Sequence, residues 1–261
     1  MSSSLLVALV LAQGAPAAEP WTPAVQLQIA VVATRLMPPL LARQLVRYSE
    51  EVKSGALAPF KTDDPEYHAL NADGRYGLAA QRIEQETAKI VTMLNNHVPL
   101  SQVAYELGVV SHYVSDVASP LATSDGDPRE ATYASDFARY AERNLGKFPT
   151  VFDGFYDFDR AAFTTEGYLR AVSERANRLY PILGQAYYPD GKTAMASSTS
   201  FDDRSPAFGI AQLSYNHAVS TVANVWLYIW REAHGDISGS NSYVTAGKSL
   251  AQDPSRSLKR P

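Results

Sequence analysis

The sequence contains no cysteine. Disulfide bonds, lipid-modified cysteine and a thiol nucleophile are therefore excluded from any account of its stability or chemistry. Of the 261 residues, 46% are hydrophobic and 19% are charged. This composition is ordinary for a globular protein, so we expect one sizeable hydrophobic core rather than disorder.

The N-terminal apolar run is too short to span a membrane. It extends from Leu5 to Ala12, well below the roughly 20 residues that a transmembrane helix needs. The small residues Ala15-Pro16-Ala17-Ala18 follow it, which is typical of the end of a secretory signal peptide, although Lys and Arg are missing before the apolar run. We predict that residues 1–18 are a signal peptide, that no transmembrane segment exists, and that the protein is secreted or periplasmic.

The chain also lacks an excess of positive charge, with a formal net charge of −4. The last 25 residues, which are rich in Ser, Gly and Lys, carry a net charge of +3, from Lys248, Arg256, Lys259 and Arg260 against Asp253. We predict that this segment, 237–261, is a disordered tail, and its removal leaves a still more acidic body. Since phosphate-backbone affinity comes largely from Lys and Arg, the composition disfavours tight nucleic-acid binding.

Apolar residues recur at helical spacing nearly everywhere, and no β-alternating run is long enough to build a sheet. The pattern predicts a single all-α, multi-helix domain over residues 19–236. Gly55 to Asp73 and residues 122–129 are predicted loops. Residues 148–163 hold six aromatic side chains, which either cap the core or line the rim of a cleft. The predicted helices cover 24–54 with a break at Pro38-Pro39, 78–95, 101–117, 131–143, 165–180 and 206–233.

The helix over 101–117 carries the most informative motif. Leu107-Gly108 is followed by His112-Tyr113, then Asp116, then Pro120. His112 and Asp116 lie one helical turn apart on the same face, where an imidazole and a carboxylate can converge on one metal ion. Gly108, one turn earlier, is expected to leave room above them. Without this context, a His and an Asp at this spacing are more often a simple side-chain pair.

The spacing of these residues resembles the metal-binding helix of the zinc-dependent phospholipase C and S1/P1 nuclease superfamily. The resemblance covers roughly residues 21–145. It implies an all-α fold of the phospholipase C/P1 nuclease type around a three-zinc phosphodiesterase centre. It further implies that one zinc is held by an Asp, by His68, and by His112 and Asp116 of the helical motif.

The resemblance also shows where this chain departs from the pattern. The first Asp ligand would follow a Gly-Ala-x-x-Pro loop, but here Gly55 to Pro59 is followed by Phe60. Asp63 and Asp64 are close enough in sequence to replace that ligand. The first zinc site is therefore predicted to hold two histidines and one or two carboxylates.

The other two implied zinc sites lack more of their implied ligands. For the second, Ala122 and Thr132 stand where histidines are implied, and Asp136 keeps the acidic ligand. For the third, Trp21 is present as the implied ligand, but Gln26 replaces a histidine. We list Trp21 and Asp136 as metal-site candidates and expect both of these sites to be empty.

Two functions follow from this ligand set. The first is an exported hydrolase of phosphate ester bonds, a phospholipase C-like phosphodiesterase with a single zinc at His68, His112 and Asp116. Asp116 is the catalytic candidate, and the substrate would be a small phosphodiester or a phospholipid head group. The alternative is a noncatalytic helical protein that keeps the scaffold and has lost the metal centre. Metal analysis of the purified protein distinguishes them.

A second group of polar residues lies near the C-terminus of the domain. His217, Ser220, Thr221 and Asn224 form a stripe on the last predicted helix, opposite its apolar face. A solvent-facing stripe is the prediction for such a pattern.

Overall fold

The structure, a computed structural model, describes residues 19–61, 64–71, 76–124, 127–158, 163–191 and 195–239. These residues form nine α-helices, five short 3₁₀ helices and no β-strand, so the predicted all-α class is confirmed. The predicted signal peptide lies outside the described residues, as do residues 240–261 of the predicted tail. The helices are α1 (Pro23–Leu36), α2 (Pro39–Arg47), α3 (Ser49–Leu57), α4 (Ala79–Asn95), α5 (Leu100–Val117), α6 (Glu130–Asn144), α7 (Thr165–Asn177), α8 (Tyr180–Tyr187) and α9 (Pro206–Glu232).

The first three helices are short because the backbone breaks twice. Pro38 and Pro39 separate α1 from α2, as predicted, since proline cannot donate the hydrogen bond that would continue α1. The second break, at Tyr48, was not predicted: its φ of −108° and ψ of 37° leave the helical range. Neither glycine nor proline marks that break, so no local pattern in the sequence predicts it.

The prediction of a loop from Gly55 to Asp73 is wrong in part. Gly55 belongs to α3, and two 3₁₀ helices, Pro59–Lys61 and Pro65–His68, follow it. A Cβ atom on Gly55 would overlap the carbonyl oxygen of Tyr105, and one on Gly108 would overlap that of Val52. The two glycines therefore let the backbones of α3 and α5 pack directly against each other. The space at Gly108 is filled by α3 and not by a metal site.

Helix α5 lies at the centre of the domain. All its residues from Leu107 to Val117 are buried, as expected for a helix that is surrounded by other helices. Helix α9 packs against it, and the indole N–H of Trp226 donates to the carbonyl of Leu107 at 2.9 Å. Consequently, the polar residues His112 and Asp116 are placed inside the protein rather than on its surface.

The polar stripe of α9 faces an extended segment, and its prediction as solvent-facing is wrong. Asn216, Ser220 and Asn224 are buried. They lie at successive turns of the helix. Their side chains accept backbone N–H groups of the extended segment, which in a β-sheet would bond to a neighbouring strand. The donors are Val151 N–H to Asn216 at 2.8 Å, Asp153 N–H to Ser220 at 3.0 Å and Tyr156 N–H to Asn224 at 2.6 Å.

The aromatic segment after α6 mainly caps the core. Phe148 and Phe155 are buried, whereas Tyr156 is 39% exposed. Phe158 and Phe163 pack their rings against each other with centroids 4.8 Å apart. At the other end of the domain, Ile237 still packs against the core, so the described part continues slightly beyond the predicted boundary at residue 236. No helix in the described ranges is both long and apolar enough to cross a membrane.

Candidate metal centre

Helix α5 brings His112 and Asp116 together. Both side chains are completely buried, and His112 Nε2 lies 3.3 Å from Asp116 Oδ2. His112 Nδ1 lies 2.8 Å from the carbonyl oxygen of Ala56 in α3. Because a carbonyl can only accept, Nδ1 is the protonated donor, and Nε2 of the neutral ring carries the lone pair. The α3–α5 contact thus turns the ligating nitrogen of His112 toward Asp116.

His68 reaches the same point from a different element. It is the last residue of the 3₁₀ helix Pro65–His68, and its Nδ1 lies 2.8 Å from Asp116 Oδ2. The rings of His68 and His112 meet edge to face, with centroids 5.0 Å apart. The structure therefore brings His68, His112 and Asp116 together, as the sequence predicts.

Two residues of the N-terminal segment position Asp116. Gln26 donates from Nε2 to Asp116 Oδ1 at 2.8 Å, and its own Oε1 accepts from the hydroxyl of Ser115. Trp21 is buried, and its indole N–H donates to the carbonyl of Ser115 at 2.9 Å. Both contacts tie the start of α1 to α5. The side chain of Trp21 thus anchors the chain beside the site.

A fourth side chain, Glu19, completes the cluster and was not predicted. Glu19 Oε2 lies 3.7 Å from His68 Nδ1 and 3.9 Å from His112 Nε2. In the described part of the chain, Glu19, His68, His112 and Asp116 are the one group of such side chains that could hold a metal ion. Their ligand atoms all lie within 4.8 Å of one another.

Phe60 and Asp64, near the position of the missing carboxylate, have roles other than metal binding. Phe60, in the position where the resemblance implies an Asp, packs its ring edge to face against His112 at 4.6 Å. The side chain of Asp64 accepts the backbone N–H of Glu66 at 3.1 Å and caps the turn that ends at His68. Asp63 lies outside the described residues. Phe60 therefore forms an apolar wall of the site, and Asp64 supports it from outside.

Asp136 is not one of the four clustered side chains. It accepts from the backbone N–H of Ser198 at 2.9 Å, from the Ser198 hydroxyl at 2.8 Å and from the Tyr187 hydroxyl at 3.0 Å. Burial tends to raise its pKa, but these hydrogen bonds and the nearby Arg143 outweigh that effect, and the pKa is lowered. Its contacts are those of a carboxylate that holds the chain near Ser198 to α6.

The other implied ligand positions of the second zinc are occupied by residues that make hydrogen bonds elsewhere. Thr132 is exposed, and its hydroxyl lies 2.7 Å from that of Tyr188. Ala122 is buried, and its carbonyl accepts from the N–H of Leu70 at 2.9 Å. Gln26, from the third implied site, hydrogen-bonds directly to Asp116 of the cluster. A surface cavity of about 430 Å³ lies beside Tyr180 and Tyr188, and none of the four cluster residues lines it.

The four clustered residues fit a divalent metal such as zinc. Imidazole nitrogens and carboxylate oxygens are common zinc ligands, and ligands about 2.0–2.2 Å from one ion lie roughly 3–4 Å from each other. The distances of 2.8, 3.3, 3.7 and 3.9 Å among their ligand atoms span this range. Two neutral imidazoles and two carboxylates also carry a charge that balances a divalent cation.

The fold is similar to that of two solved clostridial alpha-toxins. The alpha-toxin of an avian strain of Clostridium perfringens matches at 12% identity with a TM-score of 0.55, over 85% of this chain and 66% of the toxin. The alpha-toxin of Clostridium absonum matches at 16% identity with a TM-score of 0.56, over 86% of this chain and 66% of the toxin. This chain thus spans just under two thirds of either toxin's length. At such identities the likeness shows the all-α, phospholipase C-like fold alone.

No protein-family model matches the sequence, and neither does any curated protein. The function must therefore be argued from the cluster itself.

Proposed function

We propose that this protein is an exported hydrolase that acts on phosphate ester bonds at one zinc ion held by His68, His112 and Asp116. The observation that carries the proposal is the convergence of these three side chains beneath the central helix of a phospholipase C-like fold. His112 Nε2 and His68 Nδ1 both lie within 3.3 Å of Asp116 Oδ2. The metal site is supported because a third side chain, His68, joins the helical pair His112 and Asp116 from another part of the chain.

The protein's own residues supply the orientation that a catalytic metal site requires. Ala56 fixes the tautomer of His112, and Gln26 holds one oxygen of Asp116, which leaves the other oxygen directed at both histidines. When bound, zinc would polarise a phosphoryl oxygen and activate water near neutral pH. We assign Asp116 the role of a ligand that orients the zinc ion. Loss of hydrogen bonds to metal ligands, such as those with Ala56 and Gln26, commonly changes metal affinity by about 10- to 100-fold.

The proposed substrate is a small phosphodiester or a phospholipid head group. The net charge of −4 argues against a long polyanion, which needs many basic contacts. Gln26, Ala122 and Thr132 provide poor ligands at the positions implied for two further zinc ions, which supports a single-metal centre.

A noncatalytic metal-binding or purely structural role is the second candidate, and one observation favours it. Glu19 occupies the side of the cluster where a catalytic site would keep an open position. Zinc sites closed by four protein ligands are usually structural.

The first prediction tests the site with two histidine variants. We expect wild-type protein to bind one zinc ion and to cleave a generic phosphodiester, and His112→Ala to lose both properties. Without His112, only two of the three proposed ligands remain, and two ligands hold an ion poorly against water. His217→Ala, at a half-buried histidine outside the cluster, should keep both properties.

Metal analysis, turnover and melting curves with and without zinc provide the measurements. Zinc should raise the melting temperature of wild type and of His217→Ala but not of His112→Ala, since a ligand that binds the native state alone stabilises it. Zinc-free melting shows whether His112→Ala is folded. A wild type that binds no zinc and turns over no phosphodiester would sink the proposal, whereas zinc binding without turnover would establish the noncatalytic role.

A further inference from the structure

Glu19 differs from the other three members of the cluster in how it is held. His112 and Asp116 are completely buried on α5, and the side chain of His68 is 8% exposed, whereas that of Glu19 is 40% exposed. The distances from Glu19 to the two histidines, 3.7 and 3.9 Å, are also longer than those that Asp116 makes. Glu19 is therefore the more accessible of the two carboxylates and lies farther from the histidines than Asp116 does.

The backbone around Glu19 explains this difference. Glu19 precedes α1, which begins at Pro23. Two residues further along, Trp21 is anchored by its hydrogen bond to Ser115 on α5. This anchor fixes the backbone, so a change of the Glu19 side-chain rotamer does not require α1 or α5 to move.

We propose that Glu19 is a displaceable fourth ligand that closes the metal site until an anionic group takes its place. The inference rests on the metal site of the proposed function and adds a regulating residue to it. With Glu19 in place, two carboxylates neutralise a divalent ion. With Glu19 displaced, the site carries a net positive charge and attracts a phosphate group. One carboxylate thus controls both metal retention and anion access.

Charge also indicates why displacement by phosphate is the expected event. A phosphate group and the Glu19 carboxylate are both anionic oxygen ligands, so both can neutralise the same excess positive charge, and their mutual repulsion disfavours binding side by side. Phosphate binding therefore favours movement of Glu19 toward solvent, where its side chain is already 40% exposed.

The experiment compares Glu19→Gln with Glu50→Gln by calorimetric titration. Glu50, on α3, is the matched control because it is an exposed glutamate, with 81% of its side chain accessible. Zinc is titrated first, and inorganic phosphate is then titrated into each zinc-loaded protein. We expect Glu19→Gln to bind zinc roughly tenfold or more weakly, since losing a ligand costs no less than losing an outer-shell partner. It should bind phosphate roughly fivefold or more tightly, the effect of removing one charge at about 4 Å even in water.

Each outcome decides one question. If Glu19→Gln matches Glu50→Gln in both titrations, Glu19 is not a ligand and the inference is overturned, while the proposed function stands on the zinc binding of wild type. Weaker zinc binding with unchanged phosphate binding would make Glu19 a fixed ligand and would also overturn displacement. If wild type binds no zinc at all, the proposed function fails together with this inference.

Discussion

Two groups of buried polar side chains, one on α5 and one on α9, differ in what they contact. On α9, Asn216, Ser220 and Asn224 are neutral, and each accepts a backbone N–H from the extended segment after α6. On α5, His112 and Asp116 contact other titratable side chains from separate parts of the chain. The first group satisfies the backbone N–H groups of an extended segment, and the second brings ionisable groups together at one point.

The difference shows that burial of polar residues is not by itself a functional signal. Most buried polar groups find a hydrogen-bond partner, as the α9 residues do, and then contribute to the fold. Buried carboxylates are different, because desolvating their charge is costly unless a counter-charge is close. The α5 cluster holds two carboxylates that a divalent cation would neutralise. Function is therefore inferred from α5 and not from α9.

The largest stability effect that would sharpen this comparison is expected for Asn224→Ala. Asn224 accepts from Tyr156 N–H and donates to the carbonyls of Gly154 and Ser220. Removal leaves these backbone groups without their partner, at a cost of about 3 kcal/mol in the free energy of unfolding. Urea denaturation measures the loss. Zinc affinity should stay at the wild-type value, because Asn224 is not part of the α5 cluster.

Leu213→Ala serves as the control on the same helix. Leu213 is 47% exposed, so its truncation should change stability by about 0.5 kcal/mol or less. Equal destabilisation of the two variants would mean that the stripe of α9 does not hold the extended segment.

The α9 stripe also shows a limit of sequence-based prediction. Helical periodicity identifies the helix and separates a polar from an apolar face. It does not say whether water or another part of the chain covers the polar face. Here residues 151–156 cover it, and that segment contains no regular periodicity that would reveal its partner. Most of the helices and the all-α class were predictable, whereas α8, the break at Tyr48 and the packing of this segment were not.

A smaller effect is expected for Asp136→Asn, which asks whether a predicted ligand outside the cluster is structural. The Asp136 carboxylate now accepts three hydrogen bonds, from Ser198 and Tyr187. In the asparagine variant, the amide NH₂ group would replace one acceptor oxygen and face these donors. We expect a loss of about 2 kcal/mol in stability and no change in zinc affinity. Glu142→Gln, an exposed position on the same helix, should alter neither property. Loss of zinc with unchanged stability would instead return Asp136 to the metal site.

Local helical geometry predicts one part of the candidate site. His112 and Asp116 share a helical face, and that spacing alone brings them together. Asp136 was inferred from the resemblance alone, and its carboxylate accepts from Tyr187 and Ser198 instead. Glu19 was missed because its approach depends on how the chain before α1 folds back onto α5, and no spacing in the sequence encodes a contact over such a separation.

The smallest effect concerns pH and a histidine outside the cluster. His217 is 16% exposed. Burial lowers its pKa to about 4, Arg175 and Arg178 add to the decrease, and Asp153 opposes it. Because the ordinary pKa is about 6.5, the unfolded chain takes up this proton first as pH falls. The stability contributed by neutral His217 is complete above about pH 7 and is lost progressively between 6.5 and 4.

We therefore expect acidification from pH 7.5 to 5.5 to cost wild type about 1–2 kcal/mol more than it costs His217→Gln. The measurement is urea denaturation at both pH values with a chelator present, so that the α5 histidines are in the same metal-free state in both proteins. Any constant loss of stability from the substitution cancels in the difference between pH values. Parallel pH dependence of the two proteins would show that His217 takes up its proton in the folded state, and that Asp153 outweighs burial and the two arginines.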